Sequence, residues 1–248
     1  GVHGHGLRGG QGIALPDING DEIDDFYISH FYSTSDYFES TLFSSTAPGQ
    51  WQENAAAANL NYDEWSYGSV AADFDNDGDQ DIFSITYNDP DMLLFNDGSG
   101  NFSDVTASRG ISSRATDAKS VTLIDLENDG DEDIIVVNSQ SDHIVYVNDG
   151  SGNFTTTGAG LASFTGSGNT RYSGAVAADL NGDGYQDVVM AVYNGPSRLF
   201  INRGNGTFDE RGVANGFNLN AAVNAVTLGD IDQDGDLVGH LEAGRCWV

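Results

Sequence analysis

Side-chain oxygens recur on alternate residues five times along this chain. The ladders read Asp17-Ile-Asn19-Gly-Asp21, Asp73-Phe-Asp75-Asn-Asp77-Gly78, Asp125-Leu-Glu127-Asn-Asp129-Gly130, Asp179-Leu-Asn181-Gly-Asp183-Gly184 and Asp230-Ile-Asp232-Gln-Asp234-Gly235. Hard divalent cations, Ca²⁺ above all, are held by such oxygens strung along a tight turn. Counting the leading aspartate as position 1, positions 1, 3 and 5 offer side-chain oxygens and position 6 makes the turn. Position 7 offers a backbone carbonyl, from Ile23, Asp79, Asp131 and Tyr185. Position 9 is aspartate again in four copies, Asp25, Asp81, Asp133 and Asp187. Water would complete the shell around these protein oxygens.

Turn chemistry alone accounts for Asp, Asn and Gly in one copy. It does not account for a carboxylate three residues past the turn in four copies, nor for their mutual repulsion without a cation. A helical EF-hand needs a bidentate glutamate at position 12. Here that position is Ile28, Ser84, Val136 and Met190, so the EF-hand is excluded. The ladders from Asp73 and Asp179 are intact. The first has Glu22 where glycine is expected, which predicts a strained turn, and the third has Glu127, one methylene longer, at position 3. The fifth has Val238 at position 9 and is expected to be empty or weak. About four Ca²⁺ sites are expected, with the fifth in doubt.

The elements that must carry these loops follow from their period. The leading aspartates lie 56, 52, 54 and 51 residues apart, the spacing of a repeat architecture. Before each ladder stands a run of small and apolar residues: Gly12–Pro16, Ser69–Ala72, Ser120–Ile124, Gly174–Ala178 and Ala225–Gly229. After it comes a β-branched and aromatic run too short for a helix: Phe26–Ser29, Ile82–Ile85, Ile134–Val137 and Val188–Val192. Then come two strands around a polar, glycine-rich hairpin turn, as in Phe95-Asn-Asp-Gly-Ser-Gly-Asn-Phe102, Val147–Phe154 and Ile201–Phe208. Phe43 to Trp51 reads as the same unit with one extra residue. Four antiparallel strands per unit predict an all-β fold, a β-propeller of four-stranded blades with the metal loops between strands 1 and 2. The units span about 12–68, 69–119, 120–173 and 174–224, with a partial unit at 225–237. Residues 1–10 read as a flexible segment and 238–248 as an atypical tail without a strand pattern. Strand parity puts the ladders and the hairpin turns at one end of each sheet. The dissimilar segments, Tyr62–Tyr67, Arg114–Lys119, Arg171-Tyr172, Asn218–Asn224 and His30–Tyr37, fall at the other.

Composition narrows the partners. The chain carries 38 acidic against 9 basic residues, a net charge of −29, which repels nucleic-acid phosphates. One cysteine, Cys246, allows no intrachain disulfide, and repeated metal sites serve as cross-links in its place. No apolar run approaches a membrane span, and no signal peptide is visible in this chain. No nucleophile elbow or metalloprotease histidine spacing occurs, so no enzymatic activity is expected. His3 and His5 read as part of a flexible terminus rather than a transition-metal site. Asn101-Phe-Ser103, Asn153-Phe-Thr155 and Asn205-Gly-Thr207 match the glycosylation acceptor pattern, although turn chemistry explains them equally well. Tyr62, Trp65 and Tyr67 suit packing between blades better than sugar stacking.

Strand, ladder, strand and Asn-Asp-Gly-x-Gly-x-Phe turn, in that order, resemble the FG-GAP/VCBS repeat family over about residues 11–237. The run Leu94 to Thr106, followed by Arg109-Gly110-Ile111, is similar to the subgroup in cartilage-acidic-protein-like and bacterial propellers. The resemblance implies a Ca²⁺-stabilised propeller, secreted, at the cell surface or periplasmic, used for adhesion or recognition of a protein or glycan. A polysaccharide-binding or polysaccharide-degrading propeller, or a structural segment of a larger surface protein, is the alternative. Members commonly close with seven blades, so four full units and the start of a fifth imply a fragment of a larger ring, an unusual closure, or another chain, as in an oligomer, covering the open edges.

Overall fold

The computed structural model describes residues 10–30, 40–62, 66–86, 90–111, 117–161, 171–211, 220–221, 223–229 and 238–243. Among them are strands and turns but no helix. Four antiparallel four-stranded sheets follow one another along the chain. The first holds β1 (Gly10–Ala14), β2 (Phe26–His30), β3 (Thr41–Ala47) and β4 (Gln50–Glu53). The second holds β5 (Ser66–Ala72), β6 (Asp81–Thr86), β7 (Met92–Asn96) and β8 (Phe102–Asp104). The third holds β9 (Ala118–Ile124), β10 (Asp133–Asn138), β11 (Ile144–Asn148) and β12 (Phe154–Thr157). The fourth holds β13 (Arg171–Ala178), β14 (Asp187–Tyr193), β16 (Arg198–Asn202) and β17 (Phe208–Glu210). A short β15 (Gly195–Pro196) pairs with β18 (Asn220–Ala221). Finally, β19 (Val223–Gly229) pairs with β20 (Val238–Ala243) as the first two strands of a further blade. These sheets are β-propeller blades, with strand order along each sheet matching order along the chain.

Two expectations are corrected. Val238–Ala243 is a strand, where the pattern of the tail predicts none. Its residues keep register with β19 from Gly229↔Val238 to Val223↔Ala243, so backbone pairing supplies what a poor apolar alternation does not advertise. The first hairpin has no extra residue either. Ile82 pairs with Leu94 and Phe26 with Phe43, so Phe43 is the counterpart of Leu94 rather than of Phe95. Ser45 then pairs with Trp51 as Asn96 does with Phe102, at the same spacing. The polar Ser44 at the aromatic position misaligns the unit by one.

The chain divides into two compact units, residues 1–115 with 151–153, and residues 116–150 with 154–248. Inside each, one sheet face packs on the next sheet. In the first unit Ala14, Tyr27 and Leu42 lie against Ile82, Leu94 and Phe102, with Ala55, Ala58 and Leu60 completing the cluster. In the second, Ile135, Val137 and Val145 lie against Val188, Met190 and Phe200. Full burial of each such side chain contributes roughly 1.5–3 kcal/mol. The second strands are covered on both faces: every residue of Asp81–Thr86 and Asp133–Asn138 is buried, hence their largely apolar runs, interrupted only by Ser84 between Ile82 and Ile85 and continuous from Ile134 to Val137. Small residues in the first strands are also required. A Cβ on Gly12 would stand 2.5 Å from the Gly68 Cα and 2.7 Å from the Ser69 nitrogen.

Candidate metal centres

Four ladders lie within the described residues, each between the first and second strands of its blade, and they share one hydrogen-bond scheme. Position 1 accepts twice: Asp73 Oδ1 from the Asp77 N–H at 3.1 Å, and Asp73 Oδ2 from the Gly78 N–H at 2.9 Å. Asp17, Asp125 and Asp179 do the same with the residues four and five further on. Position 5 accepts from the N–H of position 7, as Asp21, Asp77, Asp129 and Asp183 do at 2.9–3.1 Å. These bonds curl the loop until its carboxyl groups face one another. The curl requires left-handed backbone at position 6, with φ of 100° at Gly78, 94° at Gly130, 90° at Gly184 and 64° at Glu22. The first ladder therefore forms the same loop with glutamate where only glycine fits without strain.

Position 9 performs a task that the spacing alone does not show. Asp25, Asp81, Asp133 and Asp187 are buried, and each clamps its loop to its sheet. One oxygen accepts the N–H of position 2, at Ile18, Phe74, Leu126 or Leu180. The other accepts an N–H of the third strand, at Ser45 near its end or at Asn96, Asn148 or Asn202 as its last residue. Burial is the main reason these carboxyls are pushed up, to about 7 for Asp81 and for Asp133 in the metal-free chain.

The second ladder brings its ligands closest. One oxygen each of Asp73, Asp75 and Asp81 lie within 4.8 Å of one another, the one such acidic group among the described residues. Asp75 Oδ1 is buried and accepts no hydrogen bond. Burial, then Asp77 and Asp73, push the Asp75 carboxyl up, while Arg109 draws it down. The Arg109 guanidinium stands 4.9 Å from the Phe95 ring centroid and donates to the Ser151 carbonyl at 2.9 Å and Asn153 Oδ1 at 3.2 Å. An all-oxygen set with one buried, unsatisfied carboxylate oxygen fits a hard cation. In the third ladder the longer Glu127 reaches Asp133 and hydrogen-bonds it, so positions 3 and 9 converge there too. Of the first and fourth ladders, Asn19 and Asn181 at position 3 accept from the N–H of Asp21 and Asp183. Asp230, Asp232 and Asp234 lie outside the described residues.

Three supporting positions escape a reading of the ladder alone. Asn96, Asn148 and Asn202 each follow position 9 by fifteen residues. Asn96 Nδ2 donates to the Ile18 carbonyl in the preceding ladder, as Asn202 Nδ2 does to that of Leu126, both at 3.0 Å. Gln80 and Gln186 at position 8 accept the N–H of Asp17 and Asp125, the position-1 residues one blade back. The hairpin glycines make room for position 7. A Cβ on Gly98 would meet Asp79 Oδ2, one on Gly150 would meet Asp131 Oδ2, and one on Gly204 would meet the Tyr185 ring. Their regular offset from the ladder is the signal that marks all three. These contacts also put ladder and hairpin turn at the same end of each sheet.

A family model described as an FG-GAP-like repeat matches residues 17–84, 73–136, 125–190 and 179–237, each match running from one ladder into the next. This chain belongs to the FG-GAP-like repeat family. Cartilage acidic protein 1 of Xenopus tropicalis is 30% identical over 139 residues, covering 54% of this FG-GAP-like chain and 21% of that protein. The matched stretch is thus about a fifth of the relative's length. Among solved structures, the V. cholerae biofilm matrix protein Bap1 aligns over 88% of this chain and 42% of its own, with a TM-score of 0.45 and 16% identity.

The other candidates fall as follows. His143 is buried at the start of β11, where its Nδ1 accepts the Asn138 N–H at 3.2 Å, and burial lowers its pKa to about 4. Tyr172 is buried beside it, 4.4 Å between ring centroids. Tyr62 packs against the core of the first unit, and Trp65 lies outside the described residues, as do His3, His5 and Cys246. No helix among the described residues is long and apolar enough to cross a membrane.

Proposed function

We propose that this chain is a calcium-stabilised propeller module, acting outside the cell or at its surface, that binds a protein or glycan partner. The observation that carries the reading is the convergence of Asp73, Asp75 and Asp81 with Asp75 Oδ1 buried and unsatisfied. Ligands of the second site would be Asp73, Asp75, Asp77, the Asp79 carbonyl and Asp81. The first would use Asp17, Asn19, Asp21, Ile23 and Asp25. The third would use Asp125, Glu127, Asp129, Asp131 and Asp133, and the fourth Asp179, Asn181, Asp183, Tyr185 and Asp187. The cation supplies charge compensation and fixed geometry; the chain does the rest. Position 9 ties each loop to its own sheet, and Asn96 or Asn202 ties that sheet to the preceding ladder. Ordering one loop thereby stiffens the contact between neighbouring blades, which suits a protein that presents a rigid surface rather than one that turns over a substrate. Family membership and similarity to a protein named for cartilage support the extracellular assignment.

At ten times its dissociation constant, a cation stabilises the fold by about 1.4 kcal/mol per site. Chelation is therefore expected to lower the melting temperature by several degrees. Asp75→Ala combined with Asp77→Ala should remove a substantial part of the calcium-dependent increment. A melting curve indifferent to excess chelator would sink the proposal.

A further inference from the structure

Asparagine followed by glycine is the pair in which a backbone nitrogen most readily attacks the preceding side-chain amide, because glycine has no Cβ to shield that nitrogen. The chain has five such pairs, led by Asn19, Asn181, Asn194, Asn205 and Asn215. Two of them, Asn19-Gly20 and Asn181-Gly182, occupy positions 3 and 4 of a ladder. Both pairs are exposed. Both glycines are left-handed, with φ of 70° and 77°, and a Cβ on either would meet nothing within 4 Å. Sequence and open space make the two loops equivalent.

Their hydrogen bonds do not. The Gly182 N–H donates to Asp179 Oδ1 at 2.7 Å, and Asn181 Nδ2 donates to Asp183 Oδ2 at 3.0 Å. Attack requires the glycine nitrogen to lose its proton, and a carboxylate that holds the proton opposes the anion left behind. In the first ladder neither the Gly20 N–H nor Asn19 Nδ2 has an acceptor among the described residues. The Asn19 side chain is held there through Oδ1 alone, which accepts the Asp21 N–H at 3.0 Å. That bond polarises the Asn19 carbonyl and opens Cγ to attack, while leaving the amide nitrogen free to depart.

We propose that Asn19 is a self-modification site, losing its amide to water, whereas Asn181 at the same ladder position keeps its own. The Gly20 nitrogen bonds to Asn19 Cγ and the Cγ–Nδ2 bond breaks. Ammonia leaves with the proton that the Gly20 nitrogen gives up. Water then opens the succinimide ring. Addition at Cγ restores the main chain and yields aspartate; addition at the main-chain carbonyl yields isoaspartate, with an extra methylene in the backbone. Aspartate at this position joins Asp17, Asp21 and Asp25, giving the first ladder the carboxylates that the second has in Asp73, Asp75, Asp77 and Asp81. Isoaspartate instead displaces Asp21 and Glu22, whose N–H groups reach Asp17 at 3.1 and 2.8 Å. The consequence for cation binding rests on the calcium reading; the loss of the amide does not.

The full chain is aged in chelator at mildly alkaline pH and peptide-mapped by mass spectrometry, which reads the exchange of amide for acid at each asparagine. Asn19 should convert at least about tenfold faster than Asn181, whose glycine must first give up a hydrogen bond to a carboxylate. An Asn19 that keeps its amide, or conversion at Asn181 at an equal rate, overturns the proposal. Calorimetric titration with calcium then compares the natural chain with Asn19→Asp, in which one class of sites should tighten about tenfold. Equal titrations overturn the gain in cation affinity. Absence of calcium binding in both chains sinks the calcium reading and that gain with it, while the mass measurement, which needs no metal, still decides the modification.

Discussion

Glu22 shows what a single side chain costs when the backbone geometry is set by its neighbours. Its N–H must reach Asp17 Oδ2, and it does so at 2.8 Å with φ at 64°. A non-glycine residue there costs about 1–2 kcal/mol, which glycine avoids at a smaller entropic penalty. Glu22→Gly should accordingly stabilise the chain by about 0.5–1 kcal/mol in urea denaturation with chelator present. A loss of stability would show that the glutamate contributes something beyond the turn. The strain at this residue was legible in the sequence as a glycine missing from its expected place. The clamp role of Asp81 and Asp133 was not, since which oxygens a buried carboxyl offers to backbone donors depends on the third strand. Burial holds both near 7 in the metal-free fold, whereas unfolded they return to roughly 3.9. Between those values the folded state keeps protons that the unfolded state has released, so stability falls as pH rises from about 4 to about 7. Asp25 and Asp187 shift in the same direction; His143, lowered by burial to about 4, acts the opposite way as a single group, and the lowered Asp97 and Asp179 act below that window. In chelator the melting temperature should be higher at pH 5 than at pH 7.5; the opposite slope would contradict burial of these carboxyls.

At the scale of elements, the hairpin turn is more than a reversal of the chain. Gly20 and Gly152 have nearly the same left-handed φ, 70° and 71°. A Cβ on Gly20 would meet nothing, whereas one on Gly152 would stand 2.4 Å from Phe95 Cζ and 3.0 Å from the Asp75 Cβ. Gly20→Ala should therefore cost about 1–2 kcal/mol from backbone strain alone. Gly152→Ala should add about 1–3 kcal/mol of overpacking and displace Asp75 as well. Equal losses in denaturant titrations, or an unchanged calcium response in Gly152→Ala, would refute the idea that the turn covers the ladder. The glycine-rich composition announced a hairpin in every copy, but turn chemistry and close approach select the same residue. The sequence therefore could not separate them.

For the molecule as a whole, a net charge of −29 at pH 7 sets the electrostatic condition. Screening relieves self-repulsion, so sodium chloride should raise the melting temperature of the chelated protein modestly. Calcium at matched ionic strength should raise it considerably more, because cations held by converging carboxylates act at short range. If the two salts proved equivalent, screening would be the whole effect and the ladders would have no specific occupant.

The amino-acid order was enough to establish blades and ladders, because both rest on local rules: period-two burial, turn residues that tolerate left-handed backbone, and a spacing that repeats. It also located the position-9 carboxylates. Packing between sheets settled what those rules leave open. It showed that Asn96 and Asn202 join neighbouring blades, that Ser44 rather than Phe43 is the counterpart of Phe95, and that Val238–Ala243 pairs as a strand. Each depends on partners far away in the chain, whose register follows from the burial of whole faces rather than from any short run of residues.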